Sequence, residues 1–153
     1  MDPSLAARAE LDAIRIRRAE LREALDTLER ALAAPAAGRA VVWGEAVNAS
    51  MIEIADDFGA HVEITEGPGG LHQSILAGDL RLANAVEALT AEHQQIAAEI
   101  AALVAGSAAP VTAADVDDLR ERGTKLLGHL IRHRQRGADL IYEAYETDIG
   151  GGD

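Results

Sequence analysis

Apolar residues recur every three or four positions along most of the chain, in four runs that are separated by segments containing glycine or proline. This spacing places the apolar side chains of each run on one face of an α-helix. We expect four long helices and one short helix, at about Pro3 to Leu32, Ala40 to Glu66, Leu71 to Ala77, Asp79 to Ala105 and Thr112 to Tyr145.

The ends of these helices carry recognisable signals. Pro3 suits the first turn of a helix, and Asp79 is a suitable residue to cap the third long helix. Thr112 followed by Asp115 resembles a capping box, with aspartate in place of the usual glutamate or glutamine. Because the connections are short, neighbouring helices should be antiparallel. The pattern predicts an all-α, up-down-up-down four-helix bundle over residues 1–147 and a frayed tail over residues 148–153.

Composition narrows the classes of function. The net charge of -12 argues against nucleic acid and against anionic membranes as partners. The absence of cysteine excludes disulfides, thiolate zinc sites and iron–sulfur clusters. No apolar run reaches the length of a membrane span, and the first residues lack the pattern of a signal peptide, so we expect a cytoplasmic protein.

Three histidines take the place of apolar residues on the inward faces of three different predicted helices, namely His61, His93 and His133. A buried imidazole costs free energy unless it is hydrogen-bonded or bound to an ion. Three imidazoles directed at one bundle axis therefore indicate a metal site.

Residue counting tests whether these histidines share one level of the bundle. His61 and His93 lie equally far along the sequence from Ala77, where the second hairpin turns, so they should face each other. Counting from Ala109 favours His129 on the fourth helix, whereas the apolar spacing favours His133. The two lie one turn apart on one helical face, and both stay candidates.

Four stretches of the chain resemble the hemerythrin-like, or HHE cation-binding, family. They are Arg18-Ala-Glu-Leu-Arg-Glu-Ala-Leu, Phe58-Gly-Ala-His61-Val-Glu-Ile-Thr65-Glu66, Leu89-Thr-Ala-Glu-His93-Gln-Gln-Ile96 and Leu130-Ile-Arg-His133. The resemblance implies a four-helix bundle that holds two metal ions, usually iron, with His61, His93 and His133 as ligands. It also implies roles in binding oxygen or in sensing oxygen, nitric oxide or iron.

The chain departs from the family pattern at several ligand positions. Arg18 stands where the family has its first histidine, and Thr65 stands where a bridging glutamate is expected; Ala97, Gly137 and Ala138 also replace ligands. Since two adjacent cations need bridging carboxylates, a single zinc or iron ion fits better than a pair. The neighbouring Glu66 and Asp139 are candidates to complete its ligand set.

Two further interpretations stay open. In the first, the bundle holds no metal and acts as an interaction or regulatory module, either as a homodimer or with a protein partner. Arg18 would then pair with Glu66 or Asp139, or hold an anion. In the second, the fourth helix uses its arginines and tyrosines as a site for a partner or an anion, the residues being Arg132, Arg134, Arg136, Tyr142 and Tyr145. No set of residues specifies a reaction.

Overall fold

The computed structural model describes residues 3–146, without the side chains of residues 3, 7 and 146. Over this range the chain is helical and forms no strand. The five helices are α1 (Pro3–Ala33), α2 (Ala40–Glu66), α3 (Leu71–Gly78), α4 (Ala83–Ala108) and α5 (Ala113–Ile141). A 3₁₀ turn at Leu80–Leu82 precedes α4, and a π-helical turn at Tyr142–Glu146 follows α5. The predicted frayed tail from residue 148 lies outside the described residues.

The four long helices form an antiparallel four-helix bundle, as the sequence predicts. α1 packs on α2, α2 on α4, α4 on α5, and α5 returns to α1. Contacts between α2 and α4 fix their direction: Asn48 reaches Ser107, while His61, later in α2, reaches His93, earlier in α4. None of the helices in the described range is long and apolar enough to cross a membrane.

The helix ends show how local sequence signals are used. The Asp115 carboxylate accepts hydrogen bonds from the Thr112 backbone N–H and hydroxyl, and these bonds lower the pKa of Asp115. The predicted capping box therefore starts α5. The Asp79 side chain accepts from the Arg81 backbone N–H and so starts the 3₁₀ turn. The prediction that Asp79 caps the third long helix was therefore wrong, because α4 begins at Ala83, after that turn.

Two apolar clusters fill the bundle, one on each side of a polar layer. The larger cluster includes Leu21, Phe58, Ile96 and Leu130. The smaller one consists of Ile14, Leu71, Ile75, Val86, Leu89 and Leu140. On α1, α4 and α5 a polar residue lies in sequence between members of the two clusters. These residues are Arg18, His93 and His133. We call them, together with His61, which lies about one turn after Phe58 on α2, the histidine layer.

Candidate metal centre

Three histidines from three helices meet inside the bundle. One ring nitrogen from each of His61, His93 and His133 lies within 4.8 Å of the others. The closest approach described is 3.3 Å, between Nε2 of His61 and Nε2 of His93. His93 and His133 are only 2% and 4% exposed, and His61 is half-buried. The predicted juxtaposition of His61 and His93 at one level of the bundle is confirmed.

Carboxylates lie behind two of these rings. Glu66 Oε2 is 3.3 Å from Nδ1 of His93, and Glu92 Oε2 is 3.6 Å from Nδ1 of His133. Neither contact has hydrogen-bond geometry, so both Nδ1 atoms are buried without a hydrogen-bond partner among the described residues. Glu92 uses its other oxygen to accept from Arg136. Carboxylates in this outer position orient and polarise histidines that bind metals.

The imidazoles of the layer are neutral at pH 7. Burial, together with repulsion from the nearby His133, lowers the pKa of His61 to about 4 and that of His93 to about 3. Burial also lowers the pKa of His133, although the negative charge of Glu92 acts in the opposite direction. A neutral imidazole keeps one lone pair free, and this is the form that binds a metal ion.

A fourth histidine supports the cluster from α3. His72 is 7% exposed and stacks on His93, with ring centroids 5.7 Å apart and planes only 5° from parallel. Its Nδ1 lies 3.3 Å from the Thr90 hydroxyl. His72 was not among the predicted ligands, although it lies between Leu71 and Ile75, two apolar residues that α3 buries.

The other predicted ligands lie elsewhere. His129 Nδ1 is 2.7 Å from Glu99 Oε2, away from the cluster. Asp139 is exposed and accepts a hydrogen bond from Gln135. The Glu66 carboxylate lies beside Nδ1 of His93, whereas Nε2 of that ring is the nitrogen that contacts His61. The structure thus brings together three of the six predicted ligands and places a fourth behind them.

The register of α4 against α5 explains why His133, and not His129, joins the cluster. The connection between the two helices is extended at Ala109 and Thr112, and it buries Val111. An extended chain advances about twice as far per residue as a helix. As a result, the two helices are not in equal register. His129 contacts Glu99, but His129 lies farther from the start of α5 than Glu99 lies from the end of α4, by about two turns. Counting from Ala109 assumed equal distances and favoured the wrong level.

Arg18 completes the layer from α1. Its Nη2 donates to the carbonyl oxygen of Arg134 at 3.3 Å. Among the described residues, no carboxylate lies within ion-pair distance of its guanidinium, so the predicted pairing with Glu66 or Asp139 is not found. Burial, and then repulsion from Arg134, lower the pKa of Arg18.

A small cavity of about 30 Å³ adjoins the layer. Four imidazoles, those of His61, His72, His93 and His133, form part of its wall together with Arg18 and Gly137, and apolar side chains on both sides form most of the remainder. A single water needs roughly 10–15 Å³ measured in this way. The cavity therefore has room for two or three non-hydrogen atoms beside the imidazoles.

Comparisons with family models, with curated proteins and with solved structures find no match to this chain. The resemblance to the hemerythrin-like family therefore stays a prediction. What can be argued about function rests on the geometry of the histidine layer.

Proposed function

We propose that the protein binds a single divalent transition-metal ion, zinc or ferrous iron, through His61, His93 and His133. The observation that carries this proposal is the convergence of three neutral, largely buried imidazoles from three helices. Three histidines that leave one coordination position open are typical of catalytic and ligand-binding zinc sites.

The distances support a shared ion. Two nitrogens that each lie about 2.05 Å from a tetrahedral metal are about 3.4 Å apart. His61 Nε2 and His93 Nε2 are already 3.3 Å apart. The three ligand atoms lie within 4.8 Å of one another, so the third has to move by at most about 1.5 Å. Rotation of one imidazole about its side-chain bonds covers that distance.

The surrounding charges favour one ion over two. Thr65 donates its hydroxyl to the His61 carbonyl, so it does not replace a bridging carboxylate. Glu66 and Glu92 lie behind the imidazoles, where each can accept a hydrogen bond from the Nδ1–H of a metal-bound histidine. Within the described residues the ligand cluster therefore contains three nitrogens and no bridging carboxylate.

The competing interpretation is a metal-free layer held by hydrogen bonds. The contact between His61 and His93 is compatible with such a bond. However, a satisfied polar network would not leave the buried Nδ1 atoms of His93 and His133 without partners. A bound cation would strengthen hydrogen bonds from those protonated nitrogens to Glu66 and Glu92. It therefore accounts for the positions of both carboxylates beside the two rings.

The three histidines line a cavity of the size of a small ligand, so a metal that they held would be accessible from that cavity. Binding or sensing of a small molecule at the metal is therefore the role that we propose. The roles implied by the hemerythrin-like resemblance, namely binding or sensing of oxygen or nitric oxide, belong to this proposal. A diatomic molecule fits the available volume.

Metal titration tests the proposal directly. Metal-free protein would be titrated with zinc against a chromophoric chelator, and cobalt(II) would report coordination through its visible absorption. We expect one ion per chain and the intense cobalt bands of a four-coordinate site. His61→Ala and His93→Ala should each weaken zinc binding on the order of 100-fold or more. His129→Ala, a histidine of the same bundle outside the cluster, should leave affinity unchanged.

Two results would contradict the metal proposal. One is folded wild-type protein that takes up neither zinc nor ferrous iron, which would favour the metal-free interpretation. The other is stoichiometric binding that persists in both alanine variants, which would place the ion elsewhere.

A further inference from the structure

Within residues 3–146 no carboxylate forms an ion pair with Arg18, a positively charged residue that lines the cavity. Arg18 is half-buried, and its guanidinium makes one hydrogen bond to the described residues, a long one to the carbonyl of Arg134. A guanidinium carries five N–H donors in a planar fork that suits oxygen- or nitrogen-bearing anions. Most of this donor capacity is therefore free for a ligand.

The local charge balance is also positive. Arg134 lines the same cavity as Arg18, and the two repel each other. Of the nearby carboxylates, Glu66 lies behind His93, and Glu92 is shared between His133 and Arg136. Addition of a divalent ion beside Arg18 would leave excess positive charge in a poorly solvated space. Such an arrangement is unfavourable unless an anion enters with the metal.

Gly137 allows Arg18 to occupy this position. A β-carbon added at Gly137 would lie 3.3 Å from Nη2 of Arg18, which is closer than most β-carbon contacts in proteins. The missing side chain on α5 thus leaves room for the guanidinium beside the cavity. The residue that stands at the family's first histidine position is therefore accommodated at the cavity wall by a glycine on the facing helix.

We infer that the cavity binds a small monovalent anion of two or three non-hydrogen atoms, such as nitrite or azide, between the guanidinium of Arg18 and the metal held by the three histidines. The metal half of this inference rests on the proposed function, whereas the Arg18 half does not. The size limit follows from the volume of about 30 Å³. The charge follows from the guanidinium of Arg18, which forms no ion pair within the described residues, together with the position that three histidine ligands would leave open on a tetrahedral metal.

Azide is a suitable probe because its infrared stretching band reports its surroundings. The full chain would be titrated with azide in the zinc-bound and the metal-free forms. We expect one azide per zinc-bound chain, and a weakening of 10-fold or more in Arg18→Met. Methionine is apolar and of similar length, so it suits the apolar wall. Arg18→Lys should restore part of the affinity. Arg17→Met, an exposed arginine of the same helix, should bind azide as the wild type does.

The outcomes separate the two halves of the inference. If zinc binds and azide affinity is unchanged in Arg18→Met, the role of Arg18 is overturned while the metal site stands. Absence of azide binding to the zinc-bound wild type overturns the anion site altogether. If no metal binds, azide binding to the metal-free protein that is lost in Arg18→Met still supports the arginine site, and its absence overturns that site too.

A second variant covers the case in which Arg18→Met does not fold. Gly137→Ala keeps the positive charge but places a methyl group at the cavity wall, 3.3 Å from the guanidinium, which must then shift by a few tenths of an ångström. It should weaken azide binding several-fold and leave zinc affinity close to that of the wild type. Unchanged azide affinity in Gly137→Ala would contradict the placement of Arg18 beside the bound anion.

Discussion

Acidification should destabilise the metal-free protein through its buried histidines. In the unfolded chain each imidazole titrates near the ordinary pKa of 6.5, whereas in the bundle His61 titrates near 4 and His93 near 3. The unfolded state therefore takes up protons first as the pH falls. Because the folded pKa values are depressed, the stability is present above about pH 6.5 and is lost as the pH falls toward the folded values.

The size of the effect follows from the width of this window. At pH 5 the unfolded imidazole lies 1.5 pH units below its pKa of 6.5, while the folded imidazoles of His61 and His93 are still mostly neutral. At about 1.4 kcal/mol per unit, each histidine costs about 2 kcal/mol, so the pair costs about 4 kcal/mol between pH 7 and pH 5. A domain of this size is stable by about 5–15 kcal/mol, so the loss should be readily measured.

Urea denaturation followed by circular dichroism, with a chelator present, measures the free energy of unfolding at both pH values. His93→Leu removes one titrating group, so its loss between pH 7 and pH 5 should be about 2 kcal/mol smaller than that of the wild type. Gln94→Leu, at an exposed neighbouring position, should keep the full loss of the wild type. The reasoning is refuted if the wild type loses less than about 1 kcal/mol, or if His93→Leu loses as much as the wild type.

Two structural details give further tests by thermal or urea unfolding. A methyl group at Gly44 would overlap the Val111 side chain, so Gly44→Ala should destabilise by about 1–3 kcal/mol. Gly59 lies on the same helix with no atom within 4 Å of an added β-carbon, so Gly59→Ala should stabilise by about 0.5–1 kcal/mol; equal effects would contradict both. Asp115→Ala should cost about 1 kcal/mol because it removes the cap at Thr112, and an unchanged midpoint would argue against that cap.

The helices were largely predictable because their signals are local. Spacing of apolar residues, glycine and proline breaks, and the Thr112–Asp115 pair all act within a few residues. The predicted starts of α2 and α5 agree with the structure, and the predicted end of α4, Ala105, lies within one turn of the observed end at Ala108. The start of α4 was misplaced because Asp79 was used by a 3₁₀ turn, which is equally compatible with an aspartate in that position.

The candidate site could be predicted only in part from the sequence, and the rest depended on the packing of the helices. The inward direction of His61, His93 and His133 could be predicted from the sequence, because the helical period fixes which side of a helix a residue occupies. The sequence also placed His61 and His93 at one level, since the second hairpin is nearly symmetric in length. These inferences needed only the geometry of single helices and of one turn.

The packing of the helices against one another determines which histidine of α5 meets His61 and His93 and which side chains surround the three. The extended connection before α5 shifts that helix along α4 and brings His133, not His129, into the layer. The same shift places Glu92 behind His133, and packing of α1 on α5 brings Arg18 against Arg134. Axial register depends on how side chains from different helices pack and on the conformation of the connections, and the periodicity of one helix carries no information about either.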